Sequence, residues 1–196
     1  MKLKMLILTG ISLLILTGCA TSLKMNPPPR LELPGIEQYD YTAGLYVPQD
    51  VKEYVYEKST SPVDKMAFPI GEQTNEIFKI NMPMVFKNVV EVSSISSDQN
   101  TDLVIKPSIV KFESIIPYPA YNPYTSTIVY RVEVYDKKGE KIYVQTATGN
   151  GQTSKGLLSG FSARSICADV AQMGMEDAVK QIIEGLSEAE ELQNIN

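Results

Sequence analysis

Thr127-Ile128-Val129-Tyr130-Arg131-Val132-Glu133-Val134-Tyr135 decides the fold class of this chain. Ile128, Tyr130, Val132 and Val134 fall on one side, with Arg131 and Glu133 on the other. That period of two is the signature of a strand with one face against a core. Asp136-Lys137-Lys138-Gly139 then reads as a turn, and residues 141–148 return as the partner strand. An antiparallel hairpin over 127–148 is therefore predicted. Its apolar side, Val132 and Val134 included, should face a helix.

That helix lies just beyond. Ile166, Val170, Ala178, Ile182 and Leu186 make an apolar stripe at helical spacing, and Ser162 or Ser165 is placed to cap its start. Between hairpin and helix, Gly149, Gly151, Gly156 and Gly160 mark a mobile loop. Upstream, residues 103–114 alternate as a strand until the apolar set changes phase at Val110 and Phe112, and Pro107 is assigned to that slip. Residues 89–95 are β-branched enough for a strand. Residues 71–79 read as a helix, with Pro69 ahead of it and Glu72 and Glu76 suiting the positive end of its dipole. Pro83 then either kinks that helix or starts a second turn capped by Asn81. Val51, Tyr54, Val55 and Tyr56 form a short piece, extended or helical, and residues 44–47 a first strand ended by Pro48. The expected fold is α+β: a mainly antiparallel sheet of four or five strands with two helices on one face.

The N-terminus carries a different message. Lys2 and Lys4 precede an apolar run over residues 5–16, and Leu16-Thr17-Gly18-Cys19 closes it. A membrane span needs about 20 apolar residues, more than this run supplies. The charged, apolar, small-residue order is that of a secretory signal. Gly18-Cys19-Ala20 loosely fits an ordinary cleavage site, but the four residues closely resemble the lipobox of bacterial lipoproteins. That resemblance implies that the Cys19 thiol receives a diacylglyceryl group, that a signal peptidase cuts ahead of it, and that the new amino terminus is acylated. Residue 20 is Ala and not Asp, which in the enterobacterial sorting pattern implies the periplasmic side of the outer membrane. The order of strands and helices over residues 44–186 also resembles small envelope lipoproteins of the lipopolysaccharide-assembly type.

The chain is accordingly divided into a signal peptide (1–18), the lipidated Cys19 with a flexible tether rich in proline (19–43), an α+β domain (44–187) and a polar tail (188–196). Pro27-Pro28-Pro29 and Pro34 favour an extended polyproline tether that lifts the domain off the bilayer.

Composition excludes several functions. The chain has no histidine, which removes Ser-His-Asp and Cys-His catalysis and His-ligated zinc. Its formal net charge is −5, and loss of two signal lysines takes the mature chain to −7. An acidic domain has no basic patch to displace phosphate counterions, so no nucleic acid partner is expected. Gly151-Gln152-Thr153-Ser154-Lys155-Gly156 has the glycine spacing of a P-loop, but Leu157 stands where the phosphate-binding lysine belongs. No metal and no cofactor is expected. With Cys19 committed to lipid, Cys167 has no partner for an intramolecular disulfide and reads as a small buried hydrophobe.

One segment points to recognition. Residues 116–124 hold Tyr118, Tyr121 and Tyr124 among three prolines. A stiffened loop costs less to order on binding, and tyrosine is favoured at protein interfaces. These three tyrosines are the expected partner-binding residues, the competing assignment being a cover folded back over the sheet. Two functions follow. The first is a non-enzymatic envelope lipoprotein that binds another envelope protein or component. The second is a carboxylate-dependent envelope hydrolase or glycan-modifying enzyme, which would show as two buried acids about 5–9 Å apart across a cleft.

Overall fold

The computed structural model describes residues 20–61, 64–96, 100–117, 123–153, 162–193 and 195. The strands are β1 (Thr21–Ser22), β2 (Tyr39–Leu45), β3 (Tyr56–Ser61), β4 (Asp64–Phe68), β5 (Phe86–Glu91), β6 (Leu103–Ile115), β7 (Tyr124–Asp136) and β8 (Lys141–Thr153). The helices are α1 (Gln49–Lys52), α2 (Ile70–Asn81), α3 (Ala163–Glu188) and α4 (Glu190–Gln193), with a 3-10 turn at Met82–Met84.

The predicted hairpin is the spine of the molecule. β7 pairs antiparallel with β8 from Tyr124↔Thr153 to Tyr135↔Lys141. Gly139 takes φ +77° in the connecting turn, and the Asp136 carboxylate accepts the Lys138 and Glu140 amides at 2.9 Å each. Ile128, Tyr130, Val132 and Val134 are fully buried, as their alternation requires. Tyr130 and Thr74 of α2 share a hydrogen bond at 2.7 Å, and the Ser126 hydroxyl donates to the Val170 carbonyl of α3 at 2.6 Å. Both helices thus cover the same face of the sheet.

The sheet order is β5-β2-β6-β7-β8. β6, β7 and β8 are antiparallel neighbours, whereas β2 lies parallel to both β5 and β6. The fold is α+β as expected, but its sheet is mixed. The phase slip in β6 falls at Val110, where the register shifts between Ile109 and Lys111. Pro107 is not at the slip; it pairs with Val132. It is tolerated there because the β2 ladder ends at Ile105, whose carbonyl accepts the Tyr46 amide at 2.9 Å. By alternation the Pro107 nitrogen faces that same, now unpaired, edge.

Several expectations need correction. First, Gly149 and Gly151 belong to β8 and not to a loop; a Cβ on either would run into the backbone of α3, at Gly174 and Val170 respectively. Second, the short piece near Val51 and Tyr56 resolves into α1 and the β3–β4 hairpin, which with β1 builds a second sheet of order β1-β4-β3. Asn81 does not cap the turn that follows α2. The tail is also less polar in effect than in composition, because Leu192 of α4 is fully buried.

The third correction concerns the tether. β1 pairs in parallel with β4, Thr21 with Met66 and Ser22 with Ala67. Leu23 and Met25 are buried in the core, with Leu31, Leu33 and Ile36 packed against it. The segment runs the length of α3. Ser22–Lys24 lies beside Ser162–Ser165, Asn26 beside Asp169 and Glu176, and Glu32–Glu37 beside Lys180–Glu188. Residues 22–37 are a strap and not a spacer. Asn81, fully buried, fastens the strap to α2: its Oδ1 accepts the Leu31 amide at 2.8 Å, and its Nδ2 lies 3.2 Å from the Pro29 carbonyl and 2.9 Å from that of Ile77.

Replacing Asn81 by alanine strands the Leu31 amide and the Pro29 carbonyl, and an unsatisfied buried polar group costs about 1–3 kcal/mol. Asn81→Ala should lower the unfolding free energy in urea by about 2–3 kcal/mol and raise hydrogen exchange at Leu31 selectively. Unchanged exchange at Leu31 would show that packing alone holds the strap.

Candidate functional site

Helices cover one face of the five-stranded sheet; the other bears the most strongly perturbed carboxylate among the described residues. Glu133, on the polar side of β7, is paired across the strand with Lys106 of β6 and Val144 of β8. Its carboxylate takes the Tyr135 hydroxyl at 2.8 Å and lies 3.5 Å from Lys106 Nζ and 3.3 Å from the Arg131 guanidinium. Lys141 is bound closer still. The hydrogen bond from Lys141, then that from Tyr135 and the charge of Lys106, pull the Glu133 carboxyl down to about 2 against the cost of its partial burial. The Tyr135 hydroxyl is pushed up to about 12, first by burial and then by the neighbouring carboxylate.

The chemistry of this cluster follows from the charges. One carboxylate is shared among three cations, so the patch carries surplus positive charge beside exposed Val144. A carboxyl held that far below neutrality is a fixed anion and not a proton donor. Among the described residues no acid is buried: the buried polar side chains are Gln73, Thr74, Asn81, Thr101, Ser114 and Ser126.

The tyrosine loop divides. Tyr118 and Tyr121 lie outside the described residues, as does Cys19. Tyr124 is the first residue of β7 and only 3% exposed, within the core that also holds Cys167. Tyr124 is a core residue and has no ring surface to offer a partner. The period-two alternation begins at Tyr124 and not at Thr127, through Ser126 to Ile128, and that earlier start was the signal that it belongs to the strand. Cys167 is buried and free, and burial raises its thiol to about 11. It is a packing residue and not a nucleophile.

Comparison with known proteins gives the fold a counterpart. No family model matches this chain, and no curated protein matches it. A crystal structure of a Xanthomonas campestris protein of the DUF330 family superposes with a TM-score of 0.58 at 10% identity, covering 90% of this chain and 99% of that one. At that identity the likeness is one of fold alone. A minor lipoprotein from Acinetobacter baumannii superposes with a TM-score of 0.46 at 12% identity, over 77% of this chain and 93% of that one. That score is too low to bear on this chain.

The Glu133 cluster predicts an acid limb in the stability curve. A carboxyl whose pKa is lowered on folding contributes stability above its unfolded value of about 4.3, and this is lost as pH falls toward about 2. Urea unfolding between those limits should show a steeper decline for the native chain than for Glu133→Gln. Parallel curves would mean that the cations leave Glu133 when the chain is in solution.

Proposed function

We propose that this chain is a lipid-anchored protein of the bacterial cell envelope, acting without catalysis by binding another envelope protein or component. The observation that carries the proposal is the lipobox Leu16-Thr17-Gly18-Cys19, which ends two residues ahead of the first strand. A diacylglyceryl group on the Cys19 thiol and an acyl chain such as palmitate on its amino group give the two or more chains that stable attachment requires. No helix among the described residues is long and apolar enough to cross a membrane. Ala20 following Cys19 directs the protein to the outer membrane, on its periplasmic side. Tyr118 and Tyr121 are the proposed partner contacts, because loops joining strands carry recognition while the sheet carries stability. Tyr124 is withdrawn from that set on account of its burial. The acidic balance of the chain supports a partner other than nucleic acid.

Cys19→Ser lacks the thiolate that accepts the diacylglyceryl group. Metabolic labelling with a fatty acid should therefore disappear in this variant, and label that persists would sink the lipoprotein assignment. Native chain that carries label but fractionates with the inner membrane would overturn the sorting step only.

The partner contact has its own test. Tyr118→Ala with Tyr121→Ala, leaving Tyr124 in place, should preserve the unfolding midpoint while reducing partner yield at least tenfold on crosslinking in intact cells. Equal yields from variant and native chain would remove these tyrosines from the interface.

A further inference from the structure

The place where the chain enters the fold fixes more than an attachment point. If Cys19 carries lipid, as proposed above, its sulfur is held at the membrane surface. Thr21, two residues on, is already paired with Met66. Two residues span at most about 7 Å. A polyproline tether from residue 19 to residue 35 would instead allow about 50 Å.

The end of the domain at which this happens is identified by contacts. β1 runs parallel to β4, so the chain before Thr21 leads toward the β3–β4 turn. The ring of Tyr56, at the start of β3, packs edge-on against Phe112 of β6 at 5.0 Å between centroids. Tyr56 also acts electrostatically on Lys111, and Lys58 acts on Glu113. β3 therefore advances alongside β6 toward Ile115. The start of α3 lies there too. Ser22–Lys24 borders Ser162–Ser165, and the Ser126 hydroxyl holds Val170 where β6 finishes, opposite Ser114.

We infer that the domain sits flush on the bilayer to which it is anchored, with the end of β3, the start of α3 and the Ile115 end of β6 turned toward the headgroups. The surface residues at this end suit that contact. Ser59 and Thr60 are exposed polar residues, Lys24, Lys65 and Arg164 are exposed cations, and Ile115 is 56% exposed. Glu57 and Glu113 are also present, each within reach of a lysine, Lys65 and Lys111 respectively. The opposite end of the strap and α3 is acidic, with Glu32, Glu37, Glu184 and Glu188 around one cleft of about 720 Å³. An acidic end turned away from anionic lipid avoids repulsion that the reverse orientation would incur.

The test uses the lipidated full-length chain in phosphatidylethanolamine/phosphatidylglycerol vesicles that contain a nickel-chelating lipid. A spin label is placed at Ser59→Cys near the end of β3, or at Lys138→Cys on the β7–β8 turn, and its relaxation by the surface nickel is read. Acylation of Cys19 is measured first by mass. The expected result is strong relaxation at position 59, at least fivefold that at position 138. Inserting ten Gly/Ser residues between Ala20 and Thr21 should bring the two positions toward equality. Equal relaxation in the acylated native chain, or stronger relaxation at 138, overturns the flush orientation while leaving the lipid anchor standing. A chain with no acyl mass on Cys19 overturns both.

Discussion

Everything in this fold depends on how closely α3 approaches β8. Gly149 and Gly151 present no side chain, so the helix backbone rests directly on the strand at Gly174 and Val170. At ordinary helix-to-sheet spacing a layer of side chains separates the two. Here Ser126 spans the gap with one hydroxyl, which a Cβ on Gly174 would approach to 3.0 Å. The short distance also lets α3 guard the edge of the sheet. Gln181 donates to the Thr148 carbonyl at 2.9 Å, and Asp177 accepts the Asn150 amide at 3.0 Å. β8 is a long edge strand, and such edges otherwise template pairing with other chains. Side chains from the helix occupy those two backbone groups.

What was legible in the sequence was local periodicity, and what was not was contact between distant segments. The hairpin and α3 were read from alternation and from an apolar stripe, because in both the buried face repeats within one element. Ser162 is the cap of α3, its side chain accepting the Ser165 amide at 3.2 Å. The glycines of β8 were read as a loop because glycine weakens a strand in isolation; their purpose lies in a helix that begins more than ten residues later. The parallel pairs of β2 were invisible for a similar reason. Its register is set by partners over 40 residues away, and no turn chemistry announces them. The candidate site was the least legible part. Arg131 and Glu133 were read as the polar face of one strand, and only register brings Lys106 and Lys141 to them.

The strap shows why proline content alone did not separate a free spacer from a docked one. A polyproline segment has no internal hydrogen bonds, so it can lie along a helix without needing a ladder partner. The discriminating signal was the apolar residues around the prolines: Leu23 and Met25 ahead of the triple proline, and Leu31 and Leu33 between it and Pro34. Extended as far as the turn at Pro34 and Gly35, residues 22–33 cover about 34 Å at 3.1 Å per residue, and the 26 residues of α3 rise about 39 Å. The two lengths match closely enough for the strap to follow the helix from end to end.

That match also accounts for the end of α3. Its last turn carries no basic residue, and Glu184 and Glu188 stand where the helix dipole disfavours them. The carbonyls there are served from the start of β2, which the strap delivers to that end: the Tyr39 hydroxyl lies 3.1 Å from the Ser187 carbonyl and 3.3 Å from those of Leu186 and Ala189. Burial is the main reason that hydroxyl stays protonated above its ordinary range, and only as a donor can it serve the carbonyls. A neutral donor there satisfies the helix end while leaving the acids unpaired by it. The strap that creates the route to Tyr39 therefore closes the last turn of α3 without neutralising the acids beside it.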